Sequence, residues 1–157
     1  MVNKKFFEFE HSTVVTKKIE SMERSIDDKL LHISREIEKI SRDLPDINWG
    51  GCGTFSYHLS KAMREKHGIH SEIFYLPGAP AAVEYDILFS HIAIKVEGYV
   101  IDNGGFYDVT NKEGWIRDLV PLPYEKLEEM VGMPELWNSR FYRKENIEEL
   151  IERLNKI

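Results

Sequence analysis

Residues 90–102 read Ser-His-Ile-Ala-Ile-Lys-Val-Glu-Gly-Tyr-Val-Ile-Asp, and this stretch decides the fold. Apolar side chains alternate with other residues on both sides of Glu97-Gly98, a pattern typical of two half-buried strands joined by a tight turn. We therefore predict strands over 87–96 and 99–101. With Glu97 and Gly98 as a two-residue turn, Val96 pairs with Tyr99 and the rest of the register follows.

This register places a histidine and a carboxylate together. Side chains of a strand alternate between the two faces of the sheet, so His91 and Asp102 share one face as diagonal neighbours, about 7–8 Å apart by backbone. A carboxylate at that distance fixes the imidazole tautomer and stabilises its charged form. A three-residue turn or a bulge would separate the two. The alternative interpretation is an ordinary surface hairpin. The opposite, core-facing side carries five apolar residues: Ile92, Ile94, Val96, Tyr99 and Ile101.

The chain has a single cysteine, Cys52, which lies among Gly50, Gly51 and Gly53. We predict a helix over 52–66 that ends at Gly68, since a glycine commonly terminates a helix. The unpaired N–H groups and positive dipole end of a helix N-terminus favour a thiolate. The alternative is that a lone cysteine is a buried and inert small hydrophobe.

The residues around Cys52 suggest how a substrate would bind. Gly51 and Gly53 would let a substrate carbonyl approach closely, and the backbone N–H groups there would stabilise an oxyanion. The Asn48 side chain is a candidate second donor. Trp49 either lines the substrate channel or packs in the core, and the sequence leaves both readings open.

A long amphipathic helix is predicted over 17–44, because apolar residues recur every three or four positions. Pro45 ends it. We favour a helix packed across the core over an arm that dimerises or covers the active site, since the repeat slips between Met22 and Leu30. Residues 1–15 are expected to form an extended lead-in.

The remaining elements complete one α+β domain. We predict a strand over 71–76, a loop over 77–86, and helices over 124–131 and 144–155. Residues 105–123, which include Trp115 and the segment Val-Pro-Leu-Pro, receive no helix or strand. The expected organisation is an N-terminal helical extension over 1–45 and a catalytic domain over 46–157, packed as one compact unit.

Composition narrows the classes of function. The 157 residues fit one domain, and a net charge of −6 argues against a nucleic-acid binder with a broad basic face. No apolar run approaches the ~20 residues of a membrane-spanning helix, and Glu8 and Glu10 interrupt any signal peptide. One cysteine and scattered histidines make a poor metal site. We expect a cytoplasmic protein that has no metal or cofactor.

Three stretches together resemble the catalytic core of the transglutaminase-like (papain-like) cysteine enzymes. They are Gly-Gly-Cys-Gly-Thr-Phe-Ser at 50–56, His-Gly-Ile-His-Ser-Glu-Ile-Phe-Tyr-Leu at 67–76, and the segment from His91 to Asp102. The resemblance covers about residues 46–107. It implies a nucleophile helix packed on an antiparallel sheet, with Cys52 as nucleophile, His91 as general base and acid, and Asp102 as the orienting group.

The resemblance also implies a reaction. A family member of this kind would form an acyl-enzyme on Cys52 from an amide, isopeptide or thioester bond of a protein or peptide, and water would release it as a peptidase or deamidase does. Gly53 departs from the family, in which an aromatic residue often follows the cysteine. Papain-type proteases also carry a glutamine before the cysteine, where this chain has Asp46 and Asn48.

Other functions stay open at this point. An acyltransferase could use the same triad, since Gly-Gly-Cys and Asp-Asn-Gly-Gly-Phe also resemble arylamine N-acetyltransferases. Those enzymes are much longer and have an arginine where this chain has Trp49. A different class is an inactive binding module that kept the fold and holds a partner in its cleft or on its N-terminal helix, through which the chain could also form oligomers.

Overall fold

The structure is a computed structural model that describes residues 24–78, 89–110, 114–137 and 140–157. Four predictions fall partly or wholly outside these ranges. They are the lead-in over 1–15, the helix start over 17–23, residues 79–86 of the predicted loop, and residues 87–88 of the predicted strand.

Five α-helices and five strands form the described part of the chain, and the fold is α+β as predicted. The helices are α1 Arg24–Asp43, α2 Cys52–His67, α3 Gly114–Arg117, α4 Tyr124–Val131 and α5 Lys144–Asn155. The strands are β1 Glu72–Pro77, β2 Phe89–Val96, β3 Tyr99–Asp102, β4 Gly105–Asp108 and β5 Val120–Pro121, and a 3-10 turn covers Pro134–Leu136.

The strands form one antiparallel sheet in the order β4-β3-β2-β1-β5. In the central hairpin Val96 pairs with Tyr99 and Ile94 with Ile101. The predicted two-residue turn and its register are therefore confirmed. Glu97 adopts a left-handed φ of 55° at the first turn position, as primed two-residue turns require.

Helix α2 packs on the face of the sheet that carries Ile92, Ile94 and Ile101, all of which are fully buried. It ends as predicted at Gly68, whose left-handed φ of 67° lets its N–H return to the Arg64 carbonyl. Helices α4 and α5 also pack against α2. The nucleophile candidate thus starts a helix that contacts the sheet and two further helices.

Helix α1 contributes to the same core. Its inward-facing residues are almost fully buried and belong to the cluster that contains the α2 and sheet residues. This observation favours a helix packed across the core over a free arm for residues 24–43. The buried α1 residues are Leu30, Ile33, Ile37 and Ile40.

Three elements lie where no helix or strand was predicted. Strand β4 follows the tight turn at Asn103-Gly104 and pairs with β3. Helix α3 and strand β5 have only four and two residues. Elements this short carry too few periods of an apolar pattern to be recognised from sequence.

Candidate active site

The β2–β3 hairpin brings His91 and Asp102 into direct contact. His91 Nε2 donates to Asp102 Oδ2 at 2.9 Å, and the two side chains are 14% and 8% exposed. Asp102 Oδ1 accepts a second hydrogen bond from the Gly104 N–H at 2.7 Å. Both carboxylate oxygens are therefore engaged, which fixes the carboxylate and, through it, the plane and tautomer of the imidazole.

Cys52 is the first residue of α2 and is 6% exposed. The chain reaches it through a sharply turned connection in which Asp46 and Gly50 have positive φ angles of 71° and 122°. The Gly51 N–H donates to the Ile47 carbonyl at 2.6 Å, so that N–H is already used. The first-turn N–H groups from Cys52 onward have no acceptor one turn earlier within the helix. They are the backbone donors that the start of this helix leaves available beside Cys52.

Cys52, at the start of α2, is close enough to His91 on the sheet to contribute to the pKa of that histidine. Because Nε2 is bonded to Asp102, Nδ1 is the ring nitrogen left for the thiol. Burial lowers the pKa of His91, but hydrogen bonds to Asp102 and Cys52 and the negative charges of both outweigh it and raise the pKa to about 10. The imidazole is therefore held in its protonated form around neutral pH.

A cleft of about 520 Å³ opens beside His91 and Asp102, which both line it, whereas Cys52 is not among the lining residues. Asn48, the candidate second oxyanion donor, lines this cleft, and so does Trp49, for which the sequence leaves a substrate channel and the core equally open. Trp49 is 49% exposed, and the Arg140 guanidinium lies 4.4 Å from the centre of its ring. Trp49 therefore belongs to the cleft wall and not to the core. The lining residues are Asn48, Trp49, Leu76, Ser90, His91, Asp102, Tyr107 and Trp115.

Two aromatic residues of the cleft were not assigned to the site from the sequence. The Trp115 ring contacts His91 edge-on at 5.6 Å between ring centres and contacts Tyr107 in the same way at 5.4 Å. Tyr107 lies on β4 and Trp115 on α3, two of the elements that were not predicted. Without β4 in the sheet, nothing in the sequence places these rings beside the histidine.

The structure places Gly51 and Gly53 differently from Asn48 and Trp49. Neither glycine lines the cleft. A methyl group built on Gly51 would lie 2.8 Å from Phe141 Cδ2, and one built on Gly53 would fall on the six-membered ring of Trp137. Aromatic rings from the chain after α4 therefore cover both glycines.

Within the described ranges, no group of three or more His, Cys, Asp or Glu side chains could hold a metal ion. His67 instead contacts the Ile157 carbonyl oxygen through Nε2 at 3.0 Å. His58 lies on α2 against Tyr57, and burial followed by the charge of Lys61 lowers its pKa. Within those same ranges, no helix is both long and apolar enough to cross a bilayer.

No family model, curated protein or solved structure matches this chain.

Proposed function

We propose that this protein is a cysteine-nucleophile hydrolase, a peptidase or deamidase, that acts on an amide, isopeptide or thioester bond of a protein or peptide. The observation that carries the proposal is the hydrogen bond of His91 with Asp102 beside an open cleft, with Cys52 at a helix N-terminus and close enough to contribute to the pKa of His91. A buried structural cysteine needs neither a histidine partner nor a carboxylate behind that histidine. The transglutaminase-like ancestry suggested by the sequence motifs agrees with this arrangement and stays part of the proposal.

The reaction starts from a thiolate at Cys52 and an imidazolium at His91. The thiolate sulfur attacks the carbonyl carbon, and the C=O π electrons move to the oxygen. The free N–H groups of the first turn of α2 and the Asn48 side chain are the donors proposed to stabilise this oxyanion. The C–N bond then breaks as the imidazolium gives its proton to the leaving amine, which leaves an acyl thioester on Cys52.

Water completes the cycle. Neutral His91 removes a proton from a water molecule, whose oxygen attacks the thioester carbonyl. The C–S bond breaks, and the thiolate and imidazolium are restored as the carboxylic acid product leaves. Asp102 keeps the charged imidazole in place during both steps. A cytoplasmic location belongs to the same proposal, because a reducing compartment keeps a single thiol available.

The test is acylation by p-nitrophenyl acetate, a small activated ester suited to a thiol that is 6% exposed. We expect a burst of one equivalent of nitrophenolate, an acetyl group on Cys52 by mass spectrometry, and slower loss of that group to water. Cys52→Ser should show no burst, and His91→Ala should lose about 10²–10⁴-fold in the acylation rate.

The competing functions give different outcomes. Acylation of wild type no faster than that of the denatured chain would mean an inactive binding module and would overturn the proposal. An acetyl-enzyme that is stable in water but released by added amines would overturn hydrolysis and indicate acyl transfer.

A further inference from the structure

Trp137 and Phe141 pack on the glycines on either side of Cys52, and we call these two residues the aromatic clamp. We propose that these two residues are positioning residues that hold the Cys52 sulfur at the distance and angle needed for a hydrogen bond with His91. The inference builds on the proposed function, since it concerns the same thiolate–imidazolium pair. Neither residue lines the cleft, so neither is proposed to touch substrate.

Trp137 lies directly on Gly53. A methyl group at position 53 would lie 2.7 Å and 2.8 Å from two carbon atoms of its six-membered ring. The indole is fixed in turn, because Nε1 donates to the Met130 carbonyl at 3.0 Å and its ring stacks on Tyr142 with an interplanar angle of 10°. The ring is 7% exposed. The residue after the nucleophile is a glycine, and a tryptophan from 84 positions later fills the space that a side chain there would take.

Phe141 lies on Gly51, the residue before the nucleophile. A methyl group at position 51 would lie 2.8 Å and 2.9 Å from two atoms of the Phe141 ring. The Phe141 backbone N–H also donates to the Trp49 carbonyl at 3.0 Å, and the ring is 2% exposed. The clamp therefore contacts the residues on both sides of Cys52 and the backbone of the loop that lines the cleft.

These contacts explain why glycine is present at both positions. Any Cβ would push the helix start away from the clamp, and Cys52 would move with it. A hydrogen bond between a thiolate and an imidazolium depends on distance and angle, and small displacements of reacting groups cost large factors in rate.

The experiment measures the rate of Cys52 alkylation by iodoacetamide from pH 5.5 to 9.5, alongside thermal unfolding. We expect Trp137→Ala and Gly53→Ala each to slow alkylation at pH 6 by about tenfold or more, with little change at pH 9.5, where an ordinary thiol is ionised. Trp137→Phe, which keeps a ring over Gly53, should retain most of the rate at pH 6.

A double variant tests the contact directly. Gly53→Phe places an aromatic ring into the space vacated by Trp137→Ala, so the double variant should recover reactivity at pH 6 relative to Gly53→Phe alone. Leu154→Ala is the matched control. It removes a fully buried side chain near the far end of α2, where His67 contacts Ile157, and should lower the melting temperature without changing the pH profile.

The outcomes separate this inference from the proposed function. If wild type itself lacks reactivity at pH 6, the proposed function fails. If wild type is reactive and the Trp137 and Gly53 variants lower only the melting temperature, as Leu154→Ala does, the clamp is merely part of the core and the inference is overturned. Additive losses in the double variant would also overturn it.

Discussion

The two faces of the β2–β3 hairpin carry different kinds of side chain although they share one backbone. On the face toward α2, Ile92, Ile94 and Ile101 are fully buried in the main core. On the other face, His91 and Asp102 lie beside a small cluster of Ala93, Val100 and Ile116. Because side chains alternate along a strand, one register fixes both faces. The comparison indicates that stability and reactivity can be changed separately by substitutions one residue apart.

The largest expected effect is on the core face. Ile94→Ala should lower the free energy of unfolding by about 2–5 kcal/mol, because it removes a fully buried side chain and leaves a cavity. Urea denaturation measures this loss. The pH profile of Cys52 alkylation should stay that of wild type under conditions where the variant is folded. A changed profile would show that the two faces are coupled.

The second-largest effect is expected on the face of the hairpin that carries His91 and Asp102. Asp102 accepts hydrogen bonds from both His91 and Gly104, and an asparagine amide can accept only one of them. Asp102→Asn should therefore slow Cys52 alkylation at pH 6 by about 10- to 100-fold, the value of one hydrogen bond to a charged group. Stopped-flow alkylation measures the rate. A variant that alkylates at the wild-type rate would show that Asp102 does not support the imidazolium.

The smallest effect is the pH dependence of stability. The pKa of His91 is raised from 6.5 to about 10, so its contribution to stability is fully present below pH 6.5 and is lost as the pH rises towards 10. In the proposed thiolate–imidazolium pair the folded chain binds one proton, and between pH 6.5 and ~8.5 the unfolded chain also binds one, on its ordinary thiol. The two states therefore bind equal numbers of protons up to pH ~8.5, and the stability does not change with pH in that interval. Above pH ~8.5 the stability of wild type should fall relative to His91→Ala, by at most about 1.4 kcal/mol per pH unit. Urea denaturation at pH 7.5, 8.5 and 9.5 measures the free energy of unfolding of both proteins. A difference between wild type and His91→Ala that stays constant over these pH values would contradict the thiolate–imidazolium pair.

The sequence predicts the parts of the fold that depend on periodicity. The α2, α4 and α5 helices and the hairpin register follow from apolar spacing, and these positions suffice to bring His91 next to Asp102. Asn48 and Trp49 lie at the cleft because they immediately precede the nucleophile turn.

The other parts of the site depend on contacts between distant segments. Trp115 reaches His91 only because β4 extends the sheet, and Trp137 reaches Gly53 only because α4 packs on α2. The glycines around Cys52 suggested space for a substrate, whereas the structure fills that space with aromatic rings. A glycine in a sequence indicates a close approach, but the approaching group is identified only in the folded chain.

The central claim is that Cys52 is a thiolate paired with protonated His91 at neutral pH. The most direct test is the pH dependence of Cys52 alkylation by iodoacetamide in wild type and in His91→Ala. We predict that the wild-type rate stays nearly constant from pH 8.5 down to pH 6, while the rate of His91→Ala falls about tenfold per pH unit below the ordinary thiol pKa of ~8.5. A wild-type profile that coincides with that of His91→Ala would contradict the account.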